Sequence, residues 1–332
     1  MHRRQLVAIL GALGLGYAGY RMFGGSGMAA RGLRWPPGLP PALTPVGDFY
    51  TVSKNLFFDP DVDASSWSLR VAGLVERPLT LTLDDLRAMP AVTMPATLAC
   101  IGHGVPARPI GNAEWTGVPL RDVLARAGGP QAGAEDLIFI GADNYTDSIP
   151  IAKALDAGTL LAYAMNGAPL VRAHGAPLRA IVPGIYGMKN AKWIRTLELV
   201  SGDYRGYWQQ RGWSEAAPYM TLSRFDVPRE GDGVAAGVPL TLGGIAFAGD
   251  RGISRVEVSV DGGTRWETAT LAPPLGPFTW VLWTWDWTPE APGSHRLIVR
   301  ATDGAGALQP AEPRPSFPAG ATGLHAVSVR SA

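Results

Sequence analysis

In the C-terminal third of this 332-residue chain, short segments follow one another in which apolar and polar residues alternate as they do in β-strands. This pattern constrains the fold more than any other feature. Asp-Gly-Gly, Pro-Pro and Pro-Gly turns separate the runs. The runs are 239–248, 256–260, 280–283 and 295–301. Short strands between such turns are typical of a β-sandwich of the immunoglobulin-like type. The paired cysteines of antibody domains are missing, because the chain has a single cysteine.

The part before this succession mixes strands and helices without a regular alternation. In residues 67–75 and 79–83, apolar and polar side chains alternate as they do in β-strands. Residues 84–86 (Asp-Asp-Leu) open a short helix with an acidic first turn. Residues 118–129 have an amphipathic helical pattern that ends at a glycine pair. This mixture predicts an α+β domain ahead of the sandwich.

The first residues have the pattern of an export signal. Arg3 and Arg4 precede an uncharged run from Gln5 to Tyr20, which is shorter than the roughly 20 residues of a spanning helix. The arginine pair is similar to a twin-arginine signal, and the lack of an obvious Ala-x-Ala site leaves an uncleaved membrane anchor open. We therefore expect an exported protein, periplasmic or anchored to the membrane and facing outward. The predicted division is a signal or anchor segment over 1–23, a linker over 24–47, and domains over 48–222 and 223–332.

Composition and motifs exclude several classes of protein. The net charge of +1 lacks the basic excess that is typical of nucleic-acid-binding domains. The five histidines and the cysteine form no His-x-x-x-His or Cys-x-x-Cys pair, so a zinc motif is missing. The chain has neither a P-loop nor the Gly-x-Ser-x-Gly elbow of serine hydrolases.

Cys100, the only cysteine, is the strongest candidate for a chemical role. It cannot form an intramolecular disulfide, so in an exported protein its thiol needs another explanation. It follows an apolar strand and precedes a glycine-containing loop, a place where sites are often built. A thiolate is a soft ligand that suits a metal carried by a cofactor, yet with His103 nearby it would equally suit a nucleophile. A small buried apolar side chain is the third interpretation.

Six segments of the first domain carry distinctive motifs: 97–100 (Thr-Leu-Ala-Cys), 110–120 (Ile-Gly-Asn-Ala-Glu-Trp-Thr-Gly-Val-Pro-Leu), 161–167 (Leu-Ala-Tyr-Ala-Met-Asn-Gly), 174–179 (His-Gly-Ala-Pro-Leu-Arg), 182–184 (Val-Pro-Gly) and 189–194 (Lys-Asn-Ala-Lys-Trp-Ile). Together they resemble the sulfite oxidase family of molybdopterin-dependent oxidoreductases, and the order and spacing of that family are kept over about residues 45–330. Each segment is a weak signal, but the ordered set is distinctive. The resemblance implies a sulfite-oxidase-type molybdopterin-binding domain followed by an immunoglobulin-like domain that forms the dimer interface in family members.

The resemblance also implies roles for single residues. Cys100 would be the protein's ligand to molybdenum in a bound molybdopterin cofactor, whose tail ends in a phosphate. By position, the residues that would bind this cofactor are Lys54, Cys100, Asp143, His174, Arg179, Asn190 and Lys192. Arginine and lysine suit a phosphate because charge-assisted hydrogen bonds are short and strong. Tyr163 matches the family's active-site tyrosine, and its alternative role is that of a core tyrosine.

The resemblance fails at the family's substrate arginines. Sulfite oxidases carry one of them five residues after the cysteine, where this chain has Val105, and another in a Trp-rich strand, where it has Val281. A sulfite dianion needs compensating charge in a water-poor pocket. A less charged substrate, such as a sulfoxide or N-oxide, therefore fits better. Arg108 in the same loop is a candidate replacement, and His103 is a candidate acid–base group.

These observations predict an exported molybdenum oxidoreductase that performs two-electron oxygen-atom transfer. The reaction would be sulfite oxidation or reduction of a sulfoxide or N-oxide. The chain lacks a Cys-x-x-Cys-His haem motif, so we expect no haem in it and a separate redox partner, a cytochrome or a membrane quinone protein. Two alternatives stay open. One is a non-catalytic exported binding protein that kept the fold, and the other is a thiol enzyme whose Cys100 and His103 form a low-pKa pair.

Overall fold

A computed structural model describes residues 35–55, 58–106 and 108–332. The predicted signal segment and part of the predicted linker lie outside the described residues. In the described part, no helix has the length and apolar character needed to span a membrane.

The first half of the described chain carries ten strands and three short α-helices. The strands are β1 (Ser68–Gly73), β2 (Leu79–Thr82), β3 (Val92–Ala99), β4 (Ile110–Pro119), β5 (Asp136–Gly141), β6 (Thr146–Pro150), β7 (Leu160–Met165), β8 (Ala168–Pro169), β9 (Arg179–Ile181) and β10 (Ile194–Val200). The helices are α1 (Leu83–Arg87), α2 (Leu120–Arg126) and α3 (Ile151–Ala154). Three short 3-10 helices follow at Arg172–His174, Gly187–Lys189 and Gln209–Arg211.

The ten strands form two sheets. One sheet has the order β2-β1-β10-β5-β6, with β1 and β10 parallel, and the other has the order β3-β4-β7-β8, with β9 also paired to β7. Fully buried residues from both sheets, such as Leu69, Leu137 and Leu161, belong to one hydrophobic cluster. A second cluster around Trp115 and Leu98 lies on the other face of the β3-β4-β7-β8 sheet.

The predicted helices are present but short. α1 begins at Leu83, since Thr82 accepts a hydrogen bond from the Asp85 N–H (3.1 Å) and the Asp85 carboxylate accepts one from the Thr82 N–H (2.9 Å). In the predicted helix over 118–129, the first two residues instead complete β4. α2 ends at Arg126, and the glycine pair that follows has the positive φ angles of a helix stop. The α+β prediction is therefore only partly confirmed, because this half is mostly sheet.

The second half is built from two more sheets. Its strands are β11 (Leu222–Val227), β12 (Gly233–Val234), β13 (Leu240–Phe247), β14 (Ile253–Ser259), β15 (Glu267–Thr268), β16 (Thr270–Leu271), β17 (Val281–Trp287), β18 (Gly293–Asp303) and β19 (His325–Ser331). The sheet orders are β11-β13-β17-β16 and β12-β19-β18-β14-β15. Leu242, Trp283, Val258 and Leu297 join the two sheets in one core, as expected of a sandwich. The immunoglobulin-like type stays a prediction.

The two halves meet at the end of β3. The Thr97 N–H donates to the Phe278 carbonyl (2.9 Å), and the Thr97 hydroxyl accepts from the Trp280 N–H (2.9 Å). The Ala99 N–H donates to the Tyr219 hydroxyl (3.1 Å). These bonds tie the C-terminal end of β3, and with it Cys100, to the sandwich half.

Candidate functional site

A cavity of about 270 Å³ opens at the end of β3. It is lined by all seven residues predicted to bind a cofactor: Lys54, Cys100, Asp143, His174, Arg179, Asn190 and Lys192. These residues are spread over nearly 140 positions of sequence, so the fold itself brings them together. Their roles as ligands stay predictions.

Cys100 is held where the strand turns into the loop. Its N–H donates to the Pro109 carbonyl (3.0 Å), which closes the loop that follows β3. Burial raises the pKa of the Cys100 thiol, and a hydrogen bond from the Gly102 N–H offsets only part of this rise. A catalytic thiolate usually has a nearby cation or helix terminus to lower its pKa. The surroundings of Cys100 therefore argue against the thiol-enzyme alternative.

The structure does not bring His103 or Arg108 to the cavity. His103 is exposed and is not among the residues that line it. Arg108 is exposed as well, and its charge acts on Asp226 and His325 in the sandwich half. Neither residue has a contact that supports the role suggested for it from the sequence.

Arg179 is a buried cation whose charge has no carboxylate partner among the described residues. One guanidinium nitrogen donates to the His174 carbonyl (3.1 Å), another makes a long contact to the Asn190 carbonyl (3.5 Å), and the Nε donor has no partner in the described part of the chain. The guanidinium lies 4.8 Å from the centre of the Trp115 ring. Burial lowers the pKa of Arg179 to about 10. Because buried charges are normally paired, this site calls for an anion.

Lys192 lies beside this arginine. Its Nζ donates to the Ala173 carbonyl (3.1 Å) and stands 4.1 Å from the centre of the Trp193 ring. Burial, and then the charge of Arg179, lower the pKa of Lys192 to about 8. Gly175 has φ +100° and would place a Cβ 2.9 Å from the Lys192 Cβ. Only glycine lets this turn approach so closely, which explains the glycine of the His-Gly signal.

The side chains of His174 and Asn190 make hydrogen bonds to backbone groups. The His174 Nε2 donates to the Val46 carbonyl (2.9 Å), and burial lowers the pKa of this histidine. The Asn190 side-chain oxygen accepts from the Val182 N–H (2.7 Å), and its amide nitrogen donates to the Tyr186 carbonyl (3.2 Å). Asn190 therefore shapes the cavity by holding the surrounding loops.

Lys54 and Asp143 form the only ion pair between predicted ligands in the described ranges. The Lys54 Nζ lies 3.9 Å from an Asp143 oxygen. The Asn55 amide donates to the same carboxylate (3.2 Å), and the Tyr145 N–H donates to its other oxygen (3.1 Å). The charge of Lys54 is thus partly balanced, in contrast to that of Arg179.

Tyr163 does not line the cavity. It is half-buried on β7 and packs, with Leu161, against the cluster that the two N-terminal sheets share. Leu160 and Ala162 face the other cluster, next to the cavity. Successive strand residues point to opposite faces, so the sequence match correctly located β7 but not the side on which the tyrosine lies.

Aromatic side chains that the motifs did not indicate form much of the remaining wall. They are Phe49, Tyr50, Tyr145, Trp208 and Trp213. Tyr50 lies so close to Gly187 that a Cβ there would be 2.7 Å from its hydroxyl. Burial raises the pKa of Tyr50. Nothing in the spacing of these residues marks them in the sequence, because they reach the cavity from separate loops.

The cavity fits a molybdopterin with a phosphate tail. Cys100 offers one soft sulfur ligand. Arg179 offers an unused N–H donor and an uncompensated charge, which suit a phosphate oxygen. The aromatic and apolar walls suit a flat ring system.

Sulfate binding to the cofactor-free protein is expected to weaken as the pH rises through about 8, the pKa of Lys192. Above that pH the lysine is neutral and no longer attracts an anion, whereas the charge of sulfate does not change. The folded-state pKa lies below the ordinary lysine value of about 10.5, so this lysine opposes folding at neutral pH, and its unfavourable contribution to stability disappears as the pH rises from about 8 toward 10.5.

Titration calorimetry with sulfate at several pH values measures this effect. The matched variant Lys192→Met is expected to bind more weakly at neutral pH and to show a flat profile. The same pH dependence in both proteins would contradict a role for Lys192.

Two family descriptions match this chain. The one described as "Oxidoreductase molybdopterin binding domain" matches residues 57–208. The one described as "Mo-co oxidoreductase dimerisation domain" matches residues 226–317. The first match contains most of the cavity residues, and the second covers most of the sandwich half.

Curated relatives and a solved structure are similar over most of the chain. Chicken (Gallus gallus) sulfite oxidase is 35% identical, over 81% of this chain and 68% of its own length. Human mitochondrial sulfite oxidase is 33% identical over 81% of this chain, which spans only 57% of that protein. The crystal structure of the sulfane dehydrogenase SoxCD from Paracoccus pantotrophus has a TM-score of 0.70 and 26% identity, and covers 85% of this chain and 80% of its own.

Proposed function

Because this chain belongs to the sulfite oxidase family of molybdopterin-dependent oxidoreductases, we propose that the cavity at Cys100 binds molybdopterin and transfers an oxygen atom in a two-electron reaction. The observation that carries the proposal is the presence, in one cavity, of a soft sulfur ligand and a buried arginine that has no carboxylate partner in the part of the chain that the structure describes. The bound cofactor would supply the metal-centred redox chemistry. The chain would supply the binding site, orientation and exclusion of water.

Each part of the site has a task in this proposal. Cys100 is the protein ligand to the metal. Arg179 and Lys192 hold the phosphate of the cofactor tail, since the buried Arg179 and the half-buried Lys192 are neighbouring cations that both line the cavity. The aromatic wall excludes water, which strengthens every electrostatic interaction within the cavity.

The charges of the cavity favour a substrate with little charge. Arg179 and Lys192 are assigned to the cofactor, and Lys54 is paired with Asp143. Among the described residues that line the cavity, no further arginine or lysine remains to compensate the charge of a dianion. We therefore propose the reduction of a sulfoxide or N-oxide, in which R₂SO takes up two electrons and two protons and becomes R₂S and water.

Sulfite oxidation is the second candidate, favoured by the relatives named sulfite oxidase. Sulfite and water would become sulfate, two protons and two electrons. Here Lys54 would have to leave Asp143 and compensate the charge of the anion.

Steady-state kinetics with holoenzyme from a host that makes molybdopterin separate the two candidates. The kcat/KM for dimethyl sulfoxide, with a reduced viologen dye as electron donor, is compared with that for sulfite, with ferricyanide as acceptor. We expect the sulfoxide to be the better substrate. A higher kcat/KM for sulfite would replace the first candidate by the second. Turnover of neither compound by molybdenum-loaded protein would favour the non-catalytic binding protein.

The cellular setting is also a proposal. The basic and apolar start of the chain supports export to the periplasm or the outer side of a membrane. The match to a dimerisation domain supports a homodimer through residues 226–317. A separate cytochrome or quinone protein would exchange electrons with the site.

A further inference from the structure

Trp213 and Cys100 flank the same small space. A methyl group in place of a Gly102 hydrogen would lie 3.8 Å from the Cys100 sulfur and 3.8 Å from the Trp213 ring atom Cη2. Both residues line the cavity. The indole therefore limits the room that is left beside the sulfur.

The support of Trp213 comes from the sandwich half. Phe317, in the segment between β18 and β19, meets the Trp213 ring edge to face, with centroids 5.2 Å apart and planes at 82°. Phe317 also lies against Gly212, where a Cβ would be 3.0 Å from the Phe317 ring. The Ser214 N–H donates to the Pro318 carbonyl (3.0 Å), which fixes the two segments side by side.

The segment around Phe317 is held in place by backbone hydrogen bonds and packing on both sides of the phenylalanine. The Gly320 N–H donates to the Ser316 carbonyl (2.7 Å), and Arg314 and Thr322 form a β-bridge. Gly320 packs so tightly on Tyr186 that a Cβ would be 2.6 Å from the Tyr186 hydroxyl. Phe317 nevertheless stays 51% exposed. Because Phe317 stays half-exposed on an anchored turn, burial of its ring contributes little to stability. The contact with Trp213 is therefore the main interaction of this ring.

We propose that Phe317 is a positioning residue that holds Trp213 in place, and that this pair of aromatic rings sets the width of the cavity beside Cys100. The reacting compound would then carry small apolar substituents that pack on the indole. The inference about substrate size rests on the proposed function, whereas the inference about width can be tested without turnover.

Alkylation of Cys100 in the cofactor-free protein measures the width directly, because the chain has no other cysteine. Rates are measured at one alkaline pH with iodoacetamide, which is small, and with N-(1-pyrenyl)maleimide, which is bulky. The ratio of the two rates cancels any change in thiol pKa. In Phe317→Ala, the alkylation rate with the bulky reagent divided by the rate with the small reagent is expected to rise about threefold to tenfold. This range corresponds to the loss of one aromatic pair.

Two controls accompany this variant. Phe317→Tyr keeps the ring and is expected to keep the ratio of the unmodified protein. Leu308→Ala removes another exposed apolar side chain of the sandwich half (47% exposed) that does not line the cavity, and is expected to change nothing. If Phe317→Ala does not fold, Phe317→Leu provides the same comparison with a smaller loss of volume.

An unchanged ratio in folded Phe317→Ala or Phe317→Leu would overturn the inference. So would a rise of the same size in Leu308→Ala, which would indicate general loosening. With the holoenzyme, Phe317→Ala is further expected to lower KM for methyl phenyl sulfoxide relative to that for dimethyl sulfoxide. A wider cavity without turnover of any sulfoxide would leave the inference standing and refute the proposed reaction, so the two failures are distinguishable.

Discussion

Replacing Arg179 by methionine is expected to remove the cofactor from the purified protein and, at the same time, to raise the melting temperature of the cofactor-free protein. The two effects have opposite signs because the guanidinium is unfavourable in the empty cavity and favourable beside an anion. Burial lowers the pKa of Arg179 from its usual, higher value to about 10, and one pKa unit corresponds to about 1.4 kcal/mol. The charged form is therefore penalised by roughly 3 kcal/mol.

Methionine fills much of the same volume without a charge. The carbonyls of His174 and Asn190 lose a donor, which offsets part of the gain at about 1 kcal/mol for each bond. The expected net gain of about 1–2 kcal/mol raises the melting temperature by roughly 2–6 °C. Loss of one charge-assisted hydrogen bond to phosphate weakens cofactor binding by about 1.5–3 kcal/mol, or roughly tenfold to a hundredfold.

Molybdenum content and thermal unfolding of the cofactor-free form measure the two effects. Arg179→Lys keeps the charge and is expected to retain part of the cofactor without gaining stability. Arg205→Met removes an exposed arginine that pairs with Glu215 on the surface and is expected to change neither quantity. An Arg179→Met protein that melts several degrees lower and still holds its cofactor would show that Arg179 is a structural residue.

Cys100→Ser is expected to retain most of the molybdenum and to lose turnover by at least about a hundredfold. The phosphate end of the cavity is untouched by this change, so most of the binding energy of the cofactor stays. A serine oxygen is a harder and less electron-donating ligand than a thiolate sulfur, so it does not tune the metal in the same way.

The same experiment separates a metal ligand from a thiol nucleophile. His103→Ala is expected to leave turnover near that of the unmodified protein, since His103 is exposed and outside the cavity. A thiol enzyme would lose activity in both variants and would be inactivated by iodoacetamide in its working form. Full activity of Cys100→Ser would contradict both roles of the cysteine.

Much of the site could be predicted from the sequence because ordered motifs carry positional information. The resemblance picked seven residues between Lys54 and Lys192, and all of them line one cavity. It could not show what each side chain does there. The side-chain amide of Asn190, for example, makes hydrogen bonds to the backbone of Val182 and Tyr186. Only the positions of the surrounding loops reveal this role.

The differences have physical causes. Tyr163 does not line the cavity, because a strand shows alternate residues to opposite faces and a motif match does not say which face is the cavity. Its role in the site stays a prediction. The helix expected over 118–129 begins only at Leu120, because residues 118 and 119 complete β4 and pair with β7. The contact of Phe317 with Trp213 joins residues that are 104 positions apart and lie in the two different halves of the chain. No local sequence pattern predicts such a contact.

The most direct test of the account is the molybdenum content of the unmodified protein. The protein is produced in a host that makes the cofactor, beside a molybdopterin enzyme that is known to load there, and molybdenum per chain is determined by elemental analysis. We predict close to one molybdenum per chain, released together with a pterin phosphate on denaturation. Folded protein without molybdenum, from cells in which the reference enzyme is fully loaded, would contradict the assignment of this cavity as a molybdopterin site.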